Sequence, residues 1–308
     1  VALAVSGPFV HHIDPIITSI SGVHLWWYGL SYTLGFTEAF LFLRRKLAPR
    51  SVFNLCILLF AGVLVGGRAV EVIFYEWPFY SAHPALIPAV WLGGMSTHGL
   101  LLGGLLGVWL FCVLEGRPFL VTTDLLAIPA AFILGVGRIG NFIDGQIVGS
   151  VTGVPWAVQF PDAVGFRHPV VLYDGLKNLL IIPVLLLVAR RRPRPGVVTG
   201  TFLFLYAFLR LFVDLFREYP TTLLGLATGQ VLNIALTIIG LVLLLVRVRA
   251  ADRRPEPASR PSAWQRVALV CLLLFPLIIP SDWTQDVPAR YGKRHAGLVH
   301  DAMYPPIP

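Results

Sequence analysis

Charge is what this sequence has least of. Only 13 % of its 308 residues are Asp, Glu, Lys or Arg, against about 25 % in ordinary soluble domains. Apolar residues make up 56 %, and runs close to the roughly 20 residues needed to cross a bilayer core recur along most of the length. A soluble chain of this size places long polar faces between such runs, and this one does not. Cysteine is nearly as scarce. Cys56, Cys112 and Cys271 stand far apart, each in an apolar run, which excludes a disulfide framework and a thiolate metal site. A buried free cysteine behaves as a small hydrophobe. No set of Cys, His and carboxylates has ligand spacing either, so neither a metal nor a cofactor is expected. There is no internal repeat of fixed period and no matched pair of interrupted helices, which inverted-repeat transporters tend to show. The first residues lack the basic-then-apolar layout of a cleaved leader, and none is expected.

The formal charge of +8 does not point to nucleic acid, because the cations gather beside the apolar runs. Arg44-Arg45-Lys46, Arg190-Arg191-Arg192 with Arg194, and Arg247 with Arg249, Arg253 and Arg254 form such clusters. That is the distribution retained by cytoplasmic loops; a nucleic-acid binder lines a folded surface instead. Spans are expected over residues 25–43, 52–75, 98–115, 124–142, 171–189, 198–217 and 229–246. The cations after the first span put its end in the cytoplasm and the N-terminus outside. Alternation then makes 115–123, 190–197 and 247–265 cytoplasmic, and two of these three are strongly basic. Trp26, Trp27, Trp77, Trp91 and Trp156 fall near the outer ends, where amphipathic rings favour the interface. An eighth crossing is expected over Val267–Pro280. The fold class is therefore all-α: a polytopic membrane helix bundle with a seven-helix core and an eighth C-terminal span. Residues 1–250 form the membrane domain. Residues 251–308 supply a cytoplasmic linker, the extra helix and an outer-side tail.

Ionisable side chains at bilayer depth cost about 2.5–3.5 kcal/mol each on insertion scales and mark functional sites by default. Arg68, Arg138, Arg210 and Arg217 lie in or at the ends of the spans. Structural pairing is one account: Glu71 follows Arg68 by three residues and Asp214 follows Arg210 by four, both spacings that share a helix face. Tyr206, Arg210, Asp214 and Arg217 make one polar stripe on a helix of Leu, Phe and Val, suited to an anionic ligand or to inter-helix contact. His98 closes the segment Gly93-Gly94-Met95-Ser96-Thr97-His98-Gly99, where an imidazole can act as acid or base near neutral pH. The strongest element is Gly137-Arg138-Ile139-Gly140-Asn141-Phe142, continuing through Asp144 and Gln146 to Gly149. It brings an Arg and an Asn to a helix end and follows them with a Gly-rich loop. A guanidinium grips phosphate bidentately, and loop N–H groups add donors.

At this stretch the chain resembles the prolipoprotein diacylglyceryl transferase family. The resemblance also covers His24–Leu30, Gly66-Gly67-Arg68, Gly93–Gly99, Arg167-His168-Pro169 with Leu172-Tyr173, Tyr206–Arg217 and Gly229–Leu232. It implies a seven-helix core in the bacterial inner membrane and no cofactor. The implied partners are phosphatidylglycerol and the signal peptides of preprolipoproteins bearing a lipobox cysteine, acted on by a monomer. The implied reaction moves a diacylglyceryl group to the cysteine thiol, forming a thioether and releasing glycerol phosphate. By position, His98, Tyr206 and Arg210 are implied as catalytic. Tyr28, Arg68, Arg138, Asn141, Asp144, Gly149 and Asp214 are implied as substrate-binding. Two positions depart from the family pattern. Gln146 stands where a Glu is usual, with Asp144 two residues earlier, and Ser150 replaces an Arg. Within the same fold the alternative is a paralogue that binds anionic phospholipid but has weak activity or another acceptor; outside it, a transporter of an anionic solute.

Overall fold

In a computed structural model, residues 8–218, 228–246, 259–281 and 286–307 are described. Residues 219–227 of the expected loop between the sixth and seventh spans and the cations Arg247, Arg249, Arg253 and Arg254 lie outside them. Seven helices coincide with the seven expected spans: α1 (Trp27–Leu43), α2 (Pro49–Val70), α4 (Thr97–Glu115), α5 (Phe119–Ile143), α6 (Val170–Arg190), α7 (Val197–Asp214) and α8 (Thr228–Leu245). A short α3 (Trp77–Ala82) precedes α4. Among the described residues five helices are long and apolar enough to cross a membrane, α2 with the turn that extends it to Tyr75 among them, and α8 is a shorter apolar helix. The protein is a polytopic all-α membrane bundle. The expected eighth segment is also helical, α9 (Ala263–Leu274), continued by a 3-10 turn to Ile278. The last helix is α10 (Val287–Tyr291).

The chain divides into two compact units, with one boundary between residues 250 and 251 and two more after residues 13 and 125. The first unit holds residues 1–13 and 126–250; the second holds 14–125 and 251–308. In the second unit α9 packs on α1 and α2. Gln265 near its start donates to Asn54, whose amide donates to Glu115 at 2.7 Å. At the other end, the Pro276 carbonyl lies where a Cβ on Gly29 would stand, so the segment runs antiparallel to α1. The chain beyond it packs Val287, Tyr291, Leu298 and Tyr304 around Trp26 and Leu92. Trp26 is therefore fully buried rather than an interfacial anchor, whereas Trp27, Trp77 and Trp156 are exposed.

Short strands, which hydropathy does not announce, accompany the helices. β2 (Ile16–Ile20) and β3 (Val23–Trp26) pair antiparallel in the second unit. In the first, β1 (Phe9–Val10) pairs parallel with β4 (Val158–Gln159), which pairs antiparallel with β5 (Phe166–Arg167).

Helix contact within the second unit depends on missing side chains. Apolar side chains gain little from leaving lipid for protein, so small residues that let backbones touch decide which helices pack. A Cβ on Gly103 of α4 would stand 2.0 Å from the Gly62 carbonyl oxygen of α2, and one on Gly66 would stand 2.5 Å from that of Gly99. Gly103→Ala is expected to lower stability by about 1–3 kcal/mol, the usual cost of overpacking. Gly153, with nothing within 4 Å of its would-be Cβ, serves as the control. Thermal unfolding in detergent of Gly103→Ala and Gly153→Ala measures the contrast.

Candidate active site

In the first unit α5, α6 and α7 bring their ionisable residues to one carboxylate. Asp174 of α6 is 1 % exposed. Its Oδ2 accepts from Arg138 Nε of α5 at 2.7 Å and from Arg210 Nη1 of α7. Its Oδ1 forms an ion pair with Lys177 Nζ at 2.9 Å. Lys177 also donates to the Tyr206 backbone carbonyl at 3.2 Å and lies 4.1 Å from the centre of the Tyr206 ring. Arg210 Nε reaches Asp214 Oδ1 at 3.0 Å, and Asn233 of α8 donates to Asp214 Oδ2 at 3.3 Å. The sequence stripe on α7 is thus real at Arg210 and Asp214. The helix ends there, with Arg217 in the turn that follows.

The cluster sets three cations (Arg138, Lys177 and Arg210) against two carboxylates (Asp174 and Asp214). It borders a tight notch, with no room for a water molecule as it stands, that Arg138, Arg210 and Arg217 line with Ile147, Val170 and Val171. Arg138 Nη1 donates to Asn141 Oδ1 at 3.3 Å, which fixes the Arg–Asn pair seen in the sequence. The loop after α5 is shaped closely. Ile147 has φ of +58°, costly for a β-branched residue and of the kind that gathers at ligand-binding sites. Gly149 donates to the His168 carbonyl at 3.1 Å, and a Cβ there would stand 2.6 Å from that oxygen and 2.7 Å from that of Phe216. Only glycine fits. Asp144 is fully buried, its N–H bonded to the Gly140 carbonyl at 3.0 Å. Ser150 is held to Phe216 through N–H and Oγ.

The remaining expected residues lie in the second unit. Tyr28, at the start of α1, bonds Tyr32 at 3.1 Å and lines an apolar crevice with Val63, Leu64, Pro276 and Ile279. Arg68 is engaged otherwise than by pairing with Glu71. Its five N–H groups are directed at the carbonyls of Leu86, Ile87, Ala89, Gly93 and Gly94 at 2.7–3.5 Å. Its guanidinium also lies 4.7 Å from the Tyr80 ring centre. Glu71, buried beside it, takes none of these donors. His98 sits in the first turn of α4, with Nδ1 2.9 Å from the Tyr75 hydroxyl.

Asp174, Lys177, Asn233 and Tyr75 were missed in the sequence. For Asp174 and Lys177 the signal was present, an acid and a base three apart inside an apolar run. Tyr75 carried none, since a tyrosine at a span end reads as interfacial.

A family model described as prolipoprotein diacylglyceryl transferase matches residues 15–246. A relative from Mannheimia succiniciproducens, named phosphatidylglycerol–prolipoprotein diacylglyceryl transferase, is 40 % identical over 252 residues, covering 77 % of this chain and 93 % of its own. Relatives of the same name from Geobacter sulfurreducens and Nitratidesulfovibrio vulgaris are 39 % and 40 % identical, over 76 % and 80 % of this chain and 95 % and 98 % of theirs.

Truncating Asp174 leaves its buried cations uncompensated. Asp174→Ala is expected to cost about 3–5 kcal/mol, as for other broken buried pairs. Glu218→Gln, which breaks the Arg167 pair at a site 62 % exposed, is expected to cost under about 1 kcal/mol. Thermal unfolding of both variants reads the difference.

Proposed function

This chain belongs to the prolipoprotein diacylglyceryl transferase family, and we propose that it transfers the diacylglyceryl group of phosphatidylglycerol to the lipobox cysteine of preprolipoproteins. The observation that carries this reading is the arginine pair on Asp174 beside a small notch. Cations outnumber carboxylates there, which suits a phosphate diester and, still better, the extra charge of a leaving phosphate monoester. The relatives carry the transferase name over nearly their full length, which favours group transfer over anion transport.

The thiol sulfur attacks the glycerol carbon that bears the phosphate. A C–S bond forms, the C–O bond breaks, and its electron pair stays on the phosphate oxygen of the departing glycerol phosphate. A free thiol has a pKa near 8.5, so only a few per cent is thiolate at neutral pH. We assign His98 as the base that takes the thiol proton, an effect worth roughly 10²–10⁴ in rate. Arg138 and Arg210 stabilise the charge gathering on phosphate, where preorganised donors away from water act most strongly. Asn141 and Tyr28 orient the glycerol and headgroup, and Tyr206 positions the thiol. Asp214 orients Arg210, while Asp144 and Gly149 shape the loop after α5. Arg68 acts through the segment of carbonyls it gathers rather than by touching lipid. The basic runs support an orientation in the inner membrane with the N-terminus outside, and the enzyme works as a monomer.

The test uses the purified full chain, phosphatidylglycerol vesicles and a lipobox peptide. The expected result is a peptide heavier by one diacylglyceryl group and a matching release of glycerol phosphate. Arg138→Ala is expected to slow transfer by about 10²–10³, the usual loss on removing a transition-state donor. A wild-type chain that inserts and leaves the peptide unmodified would overturn the proposal. An undiminished Arg138→Ala would remove the phosphate assignment.

A further inference from the structure

We propose that Tyr75 is a positioning residue for the transfer reaction: its phenol oxygen holds His98 Nδ1–H, so that the lone pair of Nε2 is the one offered to the thiol. This rests on the reading of His98 as the base. The two side chains meet at 2.9 Å with ring planes only 17° apart. Core packing does not account for where Tyr75 sits, because it is 50 % exposed. Three local features hold it there.

The first is the turn that carries it. α2 does not end at Val70 but widens into a π-helical turn over Glu71–Tyr75. Such turns cost good helical geometry and collect at functional sites. The second is the backbone contact between α2 and α4. With no Cβ on Gly66 or Gly99, the last turns of α2 lie directly against the first turn of α4. The third is a bond across that contact, from the Ser96 N–H to the Gly67 carbonyl at 3.0 Å. Ser96 then caps α4 by accepting from Gly99 N, and His98 follows two residues later within the first turn. The end of one helix and the start of the next are locked, and Tyr75 and His98 are what they present to each other.

A neutral imidazole carries one N–H, and the partner of one nitrogen decides what the other can do. With Nδ1–H donating to the Tyr75 oxygen, Nε2 is free to accept the thiol proton as the C–S bond forms and the C–O bond to phosphate breaks. The imidazolium produced keeps its Nδ1–H bond to Tyr75, which stabilises it. Tyr75 keeps its own proton throughout. It acts through His98 and touches neither substrate.

The experiment measures transfer by the full-length chain from phosphatidylglycerol vesicles to a lipobox peptide, with Tyr75→Phe, Tyr75→Gln, His98→Gln and the Tyr75→Phe/His98→Gln double variant. Tyr75→Phe keeps the ring and is expected to lower kcat by about 10-fold, short of the full contribution of a general base, with KM for the lipid unchanged. Tyr75→Gln, whose side-chain oxygen can accept from Nδ1–H, recovers part of the rate. The double variant is no slower than His98→Gln, as expected of residues acting as one unit. Wild-type kcat in Tyr75→Phe, or losses that multiply in the double variant, would overturn the proposal even with His98→Gln impaired. Full activity in His98→Gln would overturn the base assignment beneath it. Were Tyr75→Phe to unfold, Tyr75→Leu, which cannot accept from Nδ1–H, takes its place: Tyr75→Gln faster than Tyr75→Leu and slower than wild type supports the dyad, and equal rates in the two variants sink it.

Discussion

An ionised carboxylate at bilayer depth survives only if cations replace the water it has lost. Asp174 satisfies that condition by drawing on two neighbouring helices as well as its own. Arg138 comes from α5, Arg210 from α7, and Lys177 lies one turn further along α6. The division of labour between the two oxygens matters. Lys177 occupies Oδ1, so both guanidiniums converge on Oδ2 and are held close together despite their like charge. Two arginines cannot otherwise be packed side by side in so dry a place. The excess positive charge that suits a phosphate is a by-product of the same arrangement, since Asp214 neutralises only part of what Asp174 leaves over.

The second unit meets a different constraint with a different device. Helices in lipid gain little from burying apolar side chains against one another, so α2 and α4 approach through glycine. Gly62 and Gly66 face Gly99 and Gly103 closely enough that any side chain would collide with a carbonyl. That contact sets the register between the end of α2 and the start of α4. Tyr75 and His98 therefore owe their meeting to residues without side chains along the same interface, Gly99 next to His98 itself and Gly66 nine residues before Tyr75.

Much of the frame was legible in the amino-acid order because it rests on long-range hydropathy. Each of the seven expected spans coincides with a helix, and errors are confined to ends, as where α7 stops at Asp214 and the expected span ran to residue 217. Features set by local geometry were not legible. Strands of two to five residues give no period to read, and nothing in Glu71–Tyr75 announces a π-helical turn. Trp26 looked like an interfacial ring and is instead the centre of a cluster built largely by residues more than 250 positions later. In the candidate site, Arg138, Asn141, Arg210 and Asp214 were readable as polar groups out of place. Asp174 is as much out of place in an apolar run, but only Lys177 accompanies it there, where α7 carries a stripe.

The two arginines that the sequence treats alike show why the remainder needs coordinates. Arg68 and Arg138 both sit near the end of an apolar helix, both follow a glycine, and both carry the same insertion penalty. A guanidinium has five N–H donors, and where those donors go separates a scaffold residue from one that meets a ligand. All five of Arg68 are directed at carbonyls of one folded segment, whose path the left-handed Gly93 and Gly94 make possible. Among the described residues Arg138 gives one donor to Asp174 and one to Asn141, and the residue lines the notch. Hydropathy prices the two residues identically. Donor accounting does not: Arg68 directs its donors at one backbone segment, and Arg138 divides its own between a carboxylate on α6 and an amide on its own helix.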